Sequence, residues 1–577
     1  MANAIITRKN TNLPQLEGSA SDQESSNLVN NFYIEKIKQI RNSFPASRRV
    51  CGDSSCEDTF QLYCVGVKVV KKAIRTMKNT NALGVDGIPI AFWKECTDTL
   101  AKPITYLVNS SILTATVPED FKKAVVHPIY KGGSKDPSSP SSYRPVAVLP
   151  ALSKVLEKVV YWQLSDYLEE NELLPQNQHG FRHHRSIVTA MSSAIHSWAT
   201  RSRVRTRDPD LGILAFDYSA AFDTVDAEEL DVKLATVGAC KRTRCWFHSY
   251  MTGGLQKVKW NSANSDFLPV EVGVRQGSIL GPLIYVLITM EIPTTLGNTI
   301  SYADDSSTWS CNGPLETLRR DLEQSSSKLV TLSSELKLSL NPQKTQLMWV
   351  GGSPTTEGPN IKIDGAVVEP TNTIEILGLK LDNKLSPAPY ICTLRASLSQ
   401  RLGMIRRLSS AMPPSLLSTF AQGLFFGKLR VYAGVVFAVR LDKGDRRSNG
   451  AAEIQVLINN LARVITGYKR TDHIRTNRLL KEANLPSLNE IVVQASGMLA
   501  WHMSLPRHPL HTIYLQSRLE SATRSAANGL VRITSAVESI AVHNAQRVWN
   551  SCPDLRTASS ARAARSALQK YVESLPL

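Results

Sequence analysis

Cysteine, acidic charge and long apolar runs are all scarce in this sequence. The 577 residues include nine cysteines, an odd number without a tight repeating spacing, which excludes a disulfide-stabilised scaffold and indicates a reducing compartment. No stretch approaches the roughly 18 consecutive apolar residues of a membrane-spanning helix. The N-terminus lacks the apolar core of a secretory signal. We therefore expect an intracellular protein, nuclear and cytoplasmic, with no membrane partner.

The deficit of acidic residues leaves a strongly basic chain. It has 50 Asp and Glu against 67 Lys and Arg, a formal net charge of +17. Such an excess points to a polyanionic partner, because each neutralised phosphate releases condensed counterions. Nucleic acid is the first candidate. The length predicts roughly three or four packed units, unless one long enzyme fold takes up most of the chain.

The N-terminal part combines a linker, basic helices and a long loop. Residues 1 to about 30 are rich in Ser, Asn, Gln and Gly, a composition that predicts a linker. Apolar residues recur at helical spacing over 65–77 and 92–113. From Lys131 to Tyr143, clustered Gly, Ser and Pro predict a flexible loop. A mobile basic loop suits a substrate that enters and leaves.

Short apolar runs in the middle of the chain end at acidic residues. The run 211–216 stops at Asp217 and precedes a predicted helix over 220–234. Two β-prone arms flank Asp304 and Asp305. Further predicted strands cover 270–274, 345–350 and 374–381. Strands and helices alternate here, and the chain becomes helical and basic from about residue 385.

The acidic residues Asp217, Asp304 and Asp305 are unusual in so basic a chain. An isolated Asp pair is more often a solvated turn former. Here, however, neighbouring strands would bring the carboxylates within reach of shared cations. Hard divalent metals prefer carboxylate oxygens, and two ions roughly 4 Å apart activate a 3′-hydroxyl and stabilise a leaving pyrophosphate. The pattern predicts in-line phosphoryl transfer by a nucleic-acid polymerase.

Five ordered motifs resemble those of reverse transcriptases from non-LTR retrotransposons, and their wording is most similar to the jockey and CR1 group of LINE-like elements. They are FDYSAAFD (216–223), RQGSILGP (275–282), YADD (302–305), NPQKT (341–345) and LGL (377–379). Upstream, YRPV (143–146) and QHGFR (178–182) resemble finger motifs of the same family. The resemblance covers roughly residues 65–385, with weaker similarity in the tail.

This resemblance implies an α/β (α+β) fold, the right-hand polymerase in which the palm combines an antiparallel sheet with helices. The predicted parts are an N-terminal linker or extension (1–60), fingers (61–205), palm (206–385), basic helical thumb (386–480) and helical C-terminal tail (481–577). Residues 395–475 hold 14 Lys and Arg against 4 Asp and Glu, and 14 − 4 gives a local excess of +10. That excess suits a thumb that grips a duplex through its phosphates, although an ordinary solvated helical face is the plainer interpretation.

The resemblance also assigns metal and proton-transfer roles. It implies that Asp217 and Asp304 ligate two magnesium ions, or manganese in their place, with Asp305 beside them. The Tyr218 carbonyl would complete the shell. Lys344 would protonate the leaving pyrophosphate, although a Lys after a turn is more often only a surface charge.

A second set of residues is implied to bind the nucleotide. Lys131 and Arg144 would neutralise the triphosphate, Arg144 as a bidentate fork and Lys131 as a point charge, although both also fit a solvated loop. Gln276 and Gly277 would contact the nucleotide and the template backbone, since glycine allows a close approach. Phe222 would be the aromatic gate that rejects a ribose 2′-hydroxyl.

The template and primer contacts implied by the family are fewer. Arg182, in a finger motif, would contact the template or primer strand. Leu377 and Gly378 would form part of a primer grip, and ordinary strand packing is the alternative for both.

Other apparent sites are discounted. His183 and His184 have no Cys or acidic partner at metal-ligand spacing, so a nucleic-acid contact is the stronger interpretation. The cysteine pairs lack the CxxC and His partners of a zinc module and are expected to be free thiols; they are Cys51 with Cys56 and Cys240 with Cys245. No endonuclease or ribonuclease H pattern is recognised. The chain therefore resembles the polymerase-and-tail portion of an element, either a truncated copy or a gene-model fragment.

Three functions compete at this point. The first is an RNA-directed DNA polymerase that takes an RNA template, a DNA primer or target, and dNTPs, with an oligomeric state that the sequence leaves open. The second is an RNA-directed RNA polymerase, disfavoured because Phe222 occupies the gate position. The third is a catalytically idle, element-derived RNA-binding protein. The intact Asp217, Asp304 and Asp305 argue against such decay.

Overall fold

The chain divides into two compact units, each assembled from three segments. The computed structural model describes residues 13–44, 59–133, 135–201, 209–219, 221–311, 313–351, 358–442, 444–445, 450–518, 529–533 and 540–575. The first unit comprises Met1–Pro175, Tyr218–Thr295 and Lys328–Asn341. The second comprises Gln176–Asp217, Leu296–Ser327 and Pro342–Leu577. Both mix helices with antiparallel strands, which confirms the α/β class.

Strands occur in both units and are mostly short. They are β1 (Lys123–Tyr130), β2 (Tyr143–Val148), β3 (Pro209–Phe216), β4 (Tyr218–Ser219), β5 (Gly254–Trp260), β6 (Ala263–Asn264), β7 (Leu268–Val270), β8 (Thr299–Tyr302), β9 (Asp305–Cys311), β10 (Ser339–Leu340), β11 (Gln346–Gly351), β12 (Ile361–Ile363), β13 (Ala366–Val368), β14 (Thr373–Ile376) and β15 (Leu379–Asp382).

Helices make up most of the remaining described chain. They are α1 (Asp22–Asn42), α2 (Val67–Arg75), α3 (Ile90–Glu95), α4 (Thr97–Thr114), α5 (Ala151–Glu170), α6 (Ile187–Arg201), α7 (Ala227–Thr236), α8 (Lys241–Met251), α9 (Gly281–Ile288), α10 (Glu291–Leu296), α11 (Leu315–Glu335), α12 (Ala388–Leu408), α13 (Pro414–Ala421), α14 (Gly427–Leu429), α15 (Ala433–Val436), α16 (Ala451–Thr466), α17 (Thr476–Ala483), α18 (Leu488–Met503), α19 (His511–Ser517), α20 (Ile540–Ser551), α21 (Pro553–Arg556) and α22 (Ala561–Ser574). No helix among the described residues is long and apolar enough to cross a bilayer.

The N-terminal segment contains a docked helix, so the predicted linker is wrong for residues 22–30. Ser21 caps the first turn of α1 by accepting a backbone N–H at 3.2 Å. Tyr33 enters a hydrophobic core shared with β1, β2 and β5. The Asn30 amide donates to the Ser265 hydroxyl at 2.9 Å and is fully buried. Composition misled the prediction because this polar segment finds its hydrogen-bond partners in a sheet far away in sequence.

The first unit is built on the sheet β2-β1-β5-β6, with β7 also paired to β5. β1 runs antiparallel to β2 and parallel to β5. Tyr143 on β2 and Trp260 on β5 are both buried and pack edge to face, with ring centroids 5.0 Å apart. The predicted flexible loop before β2 contains a 3₁₀ turn, Pro140–Ser142, and the Tyr143 hydroxyl donates to the Pro137 carbonyl at 2.7 Å. Its described residues are thus hydrogen-bonded to one another.

The second unit is built on the antiparallel sheet β11-β3-β9-β8. Leu211 and Ile213 on β3 are fully buried, and they belong to the same hydrophobic core as Trp198 on α6. That core continues through α12 and the helices that follow it, up to Val572 on α22. The predicted boundaries at 386 and 481 therefore have no counterpart in the division into compact units.

The predicted helix over 220–234 begins later than expected, at Ala227. Residues 221–224 form a turn instead, because main-chain bonds tie this segment to residues 273 and 274. The Phe222 carbonyl accepts the Val274 N–H at 2.9 Å. The neighbouring strand is also displaced, since it covers Leu268–Val270 rather than 270–274.

Candidate active site

Asp217 lies at the end of a central strand, where two neighbouring strands bring other charged residues opposite it. In the β3–β9 pairing Phe216 faces Ser306, so the next step of the register sets Asp305 opposite Asp217. In the β3–β11 pairing Ala215 faces Gln346, and continuing that register sets Lys344 opposite Asp217. Three separate sequence motifs therefore meet at one edge of the sheet in the second unit.

Asp304 lies in the tight turn between β8 and β9, and a finger motif supports that turn. The preceding Ala303 has a left-handed backbone, with φ of 58°. Gly180 packs against it so closely that a Cβ on Gly180 would lie 2.4 Å from the Ala303 nitrogen. The adjacent His179 N–H donates to the Ser301 carbonyl at 2.8 Å. The glycine of the QHGFR motif is thus required for close backbone approach to the YADD turn.

The carboxylates influence one another electrostatically. Asp305 is exposed as a residue, yet its carboxyl group loses part of its hydration, and the charges of Asp304 and Asp217 add to that effect. Together these causes raise the pKa of Asp305 to about 6. Lys344 Nζ lies 3.2 Å from Asp217 Oδ2, a half-exposed ion pair that balances part of the negative charge.

The carboxylates form an open edge rather than a closed metal cage. Among the described residues, no group of three or more His, Cys, Asp or Glu side chains is gathered closely enough to hold a metal ion. The donor chemistry still fits a hard divalent cation: Asp217, Asp304 and Asp305 offer only carboxylate oxygens, and their mutual repulsion raises a carboxyl pKa. A cation would relieve that repulsion, and substrate oxygens would have to complete its shell.

Leu377 and Gly378 form the two-residue turn of the β14–β15 hairpin. Both have positive φ, 53° and 79°, as a tight hairpin turn of this kind requires. The Tyr432 hydroxyl donates to the Leu377 carbonyl at 2.8 Å and fixes the turn. Burial raises the pKa of Tyr432, and the nearby Tyr390, Tyr302 and Asp305 act in the same direction. The predicted primer-grip hairpin is therefore hydrogen-bonded to a tyrosine whose pKa is raised in part by the charge of Asp305.

Arg182 is buried rather than displayed to solvent. Only 9% of its surface is exposed, and its guanidinium lies 3.4 Å from the Gln178 carbonyl. Its contact with a template or primer stays a prediction. The discounted His184 lies near His502, with the ring centroids 6.3 Å apart and the ring planes tilted by 47°.

Gln276 binds a carboxylate of its own chain in the first unit. Its amide nitrogen lies 3.1 Å from both carboxyl oxygens of Asp223, the last residue of the FDYSAAFD motif. Burial raises the pKa of Asp223 to about 6, although the Gln276 bond and the Lys36 charge oppose that rise. Because the side-chain amide nitrogen of Gln276 donates to Asp223, the side-chain carbonyl oxygen is the atom that could accept from another group.

Gly277 approaches a neighbouring strand rather than open space. Its φ is 132°, and a Cβ there would lie 2.2 Å from the Ala147 carbonyl oxygen on β2. The Ala147 N–H donates to the main-chain carbonyl of Gln276 at 2.8 Å. Packing against Ala147 is by itself enough to require glycine at 277. The contact of Gly277 with a ligand stays a prediction.

Phe222 is half-buried in the turn before α7, and its ring rests on Tyr285 of α9 with centroids 4.6 Å apart. It is therefore not a core residue of the helix predicted over 220–234. Tyr218 is buried on β4, so its side chain is withdrawn and only its main chain suits the predicted carbonyl ligand.

Lys131 and Arg144 are both exposed, at the end of β1 and on β2. Lys131 Nζ donates to the Ser141 carbonyl at 2.6 Å and so helps to close the loop between these strands. Arg144 lies opposite Ile129 in the β1–β2 pairing. Their roles toward a triphosphate stay predictions.

Comparison with known proteins shows what part of the chain is similar to. Residues 129–381 match the family model described as reverse transcriptase (RNA-dependent DNA polymerase). A Drosophila melanogaster protein named probable RNA-directed DNA polymerase from transposon BS is 25% identical over 74% of this chain and 47% of its own length. The RNA-directed DNA polymerase from mobile element jockey of the same fly is 22% identical over 76% of this chain and 48% of its own. Residues 129–381 therefore resemble a reverse transcriptase domain, and the relatives that the chain matches are polymerases of LINE-like elements.

The reverse transcriptase domain contains all five motifs found in the sequence. The chain spans about half the length of the curated relatives it matches. A further relative, from transposon X-element of Drosophila melanogaster, is 24% identical over 76% of this chain and 48% of its own length. The family assignment made from the motifs is confirmed.

Several residues of the reverse transcriptase domain and its surroundings were missed by sequence reasoning. Asp223 and the half-buried Gln276 both stood within quoted motifs, although their contact depends on tertiary packing. Gly180 also stood in a motif, although its contact with Ala303 depends on tertiary packing. Tyr432 lies far downstream, in a segment whose sequence gives no signal for contact with Leu377.

Proposed function

We propose that this chain is the RNA-directed DNA polymerase of a non-LTR retrotransposon, transferring dNTPs onto a primer 3′-hydroxyl with RNA as template. The observation that carries the proposal is the register of β3, which sets Asp305 and Lys344 opposite Asp217 within the family's domain. The right-hand division into fingers, palm and thumb, and action in the nucleus and cytoplasm, belong to the same proposal.

Three carboxylates are proposed to hold the two magnesium or manganese ions of this reaction. Asp217 and Asp304 would be shared ligands, and Asp305 would act beside them. Bound divalent ions would activate the 3′-hydroxyl and neutralise the leaving pyrophosphate. Lys344, already 3.2 Å from Asp217, is positioned to shift to the pyrophosphate and give it a proton.

Nucleotide selection is proposed to depend on Gln276, Phe222 and Arg144. The side-chain amide nitrogen of Gln276 binds Asp223, so the side-chain carbonyl oxygen would accept a hydrogen bond from the sugar. The Phe222 ring would pack beneath a deoxyribose. Arg144 would grip the triphosphate with its planar fork.

Template and primer are proposed to lie along the basic C-terminal surface. Exposed cations on this surface are Arg406, Arg407, Lys428, Lys469 and Arg470. Arg395 already pairs with Glu453 and is a weaker candidate. Phosphate contacts of this kind position a duplex without reading its sequence.

Gly180→Ala should disable the YADD turn without unfolding the protein. The added methyl would meet the Ala303 nitrogen at 2.4 Å, so the turn that carries Asp304 must shift. A misplacement of about 1 Å at reacting groups costs on the order of 100-fold in rate. Single-turnover primer extension measures the loss. Gly403→Ala is the matched control, since nothing lies within 4 Å of a Cβ there. Equal rates in both variants would contradict the support role of Gly180.

Arg144→Ala should raise the nucleotide concentration for half-maximal rate more than it weakens template binding. The reason is that a fork on the triphosphate contacts the ligand and not the duplex. Steady-state kinetics and anisotropy of a labelled template–primer give the two numbers. Arg144→Lys keeps the charge without the fork, so its half-maximal nucleotide concentration should lie between those of wild type and Arg144→Ala. Weaker template binding with unchanged KM would assign Arg144 to the template path instead.

Primer extension on an RNA template tests the function directly. Purified chain, magnesium and a labelled DNA primer are incubated with dNTPs or with rNTPs, and a chelator provides the blank. We expect templated extension with dNTPs only. Extension with rNTPs alone would favour an RNA polymerase, and template binding without any extension would favour the idle RNA-binding protein.

A further inference from the structure

Two cationic side chains of the first unit lie near each other, and neither forms an ion pair with a described residue. Lys122, just before β1, is 8% exposed, and Arg275 of the RQG motif is half-buried. Within the described part of the chain neither side chain forms an ion pair or a hydrogen bond, and the Arg275 Nε is buried without a partner. Buried charges are normally paired, because desolvating an ion costs several kcal/mol.

A pair of glycines lets both cations reach the same stretch of backbone. A Cβ on Gly254 would lie 2.4 Å from Arg275 Nη2, and one on Gly253 would lie 3.7 Å from Lys122 Nζ. Adjacent residues are about 3.8 Å apart, so both charged groups meet one short segment at the start of β5. Arg275 also lies over the Tyr250 ring, 5.9 Å from its centroid. The guanidinium can approach this backbone only because residue 254 has no side chain.

The acidic side chains that act on Lys122 and Arg275 do not form ion pairs with them. Glu157 feels the Arg275 charge, but its carboxylate accepts the N–H groups of Ile279 at 2.5 Å and Leu280 at 3.2 Å. Glu119 is exposed and acts on Lys122 only weakly. Burial lowers the pKa of Lys122, and the Arg275 charge lowers it further. An anion between the two cations would relieve their mutual repulsion, since neither forms an ion pair with a described carboxylate.

We propose that Lys122 and Arg275 form a phosphate-binding site in the first unit. The guanidinium fork suits two phosphate oxygens, and the ammonium adds a point charge on the same group. The phosphate is carried either by the template–primer backbone or by the nucleotide. Only this choice of carrier rests on the proposed polymerase function; the anion site itself does not.

The test uses full-length chain in which Asp304→Asn has removed synthesis, so that binding is read without catalysis. Lys122→Met removes the charge and keeps the apolar stem. Lys123→Met is the matched control, because Lys123 already pairs with Asp120 at 2.8 Å. We expect Lys122→Met to weaken anisotropy-measured binding of a template–primer by roughly 3- to 10-fold and to reduce the salt slope by about 1. Lys123→Met should change neither quantity.

Thermal melting separates this role from a structural one. Losing an unpaired buried charge should leave the midpoint of the free protein unchanged or raise it, whereas a packing role would lower it. Pyrophosphate should raise the wild-type midpoint and fail to raise that of Lys122→Met or of Arg275→Gln. In the active chain, a higher nucleotide KM with unchanged template affinity would assign the phosphate to the nucleotide. Unchanged template affinity, KM and pyrophosphate response together would overturn the site.

Discussion

Asp304→Asn is expected to abolish DNA synthesis while leaving RNA affinity within about twofold of wild type. The substitution keeps the size of the side chain but removes a charged oxygen that would bind the cations of the transfer step. Several kcal/mol of lost transition-state stabilisation correspond to about 10³-fold or more in rate. Template affinity should persist because it depends on the basic surface. Single-turnover extension and template anisotropy measure the two effects.

Asp364→Asn is the matched control for this experiment. Asp364 lies exposed in the β12–β13 turn of the same unit, with φ of 49°, a conformation that Asn also tolerates. Its rate should match wild type. Extension by Asp304→Asn at near wild-type rate would refute the assignment of the carboxylates.

Phe222→Val should raise ribonucleotide incorporation relative to deoxynucleotide incorporation by about 10-fold for every 1.4 kcal/mol of penalty relieved. The wild-type ring would collide with a ribose 2′-hydroxyl. It would also displace the water bound to that hydroxyl and offer no hydrogen bond in exchange. The half-buried ring rests on Tyr285 and lies in a turn, so shortening it removes partly exposed surface rather than fully buried core packing. The ratio of the two kcat/KM values is the quantity to measure.

Phe222→Tyr keeps the ring and should keep the wild-type ratio. If Phe222→Val only destabilised the protein, incorporation of both nucleotides would slow equally, and the ratio of the two kcat/KM values would not change. An unchanged ratio in a folded Phe222→Val protein would remove the gate, and with it the main argument for a DNA product.

Sequence reasoning succeeded where function is carried by short contiguous motifs. The strands on either side of Asp304 were predicted, and the hairpin β8–β9 confirms them. Pro282, the last residue of RQGSILGP, also lies near the start of a helix, α9, where a missing N–H costs little. In these cases local chain geometry decides the structure.

It failed where distant partners decide the structure. The polar composition of residues 1 to about 30 predicted a linker, yet residues 22–30 belong to α1. Near the end of that helix Arg41 binds the buried Asp226 at 2.6 Å, with Lys337 on the same carboxylate at 2.9 Å. No pattern in the first 60 residues announces those partners. The turn at Phe222 was likewise predicted as helix, because the bonds to residues 273 and 274 are tertiary contacts.

The site was predicted unevenly for the same reason. The convergence of Asp217 with Asp305 follows from strand order, which a family resemblance supplies. The bond from Gln276 to Asp223 and that from Tyr432 to Leu377 depend on side-chain orientation. Such partners set the direction in which a motif residue points, and a motif alone does not encode it.

Manganese binding measured by electron paramagnetic resonance tests the central claim, that Asp217, Asp304 and Asp305 hold divalent cations. The wild-type chain is loaded with template, a non-extendable primer and a dNTP, so that substrate oxygens complete the shell without turnover. We predict saturable binding that Asp304→Asn loses and Asp364→Asn retains. Equal manganese affinity in wild type and Asp304→Asn would contradict the claim.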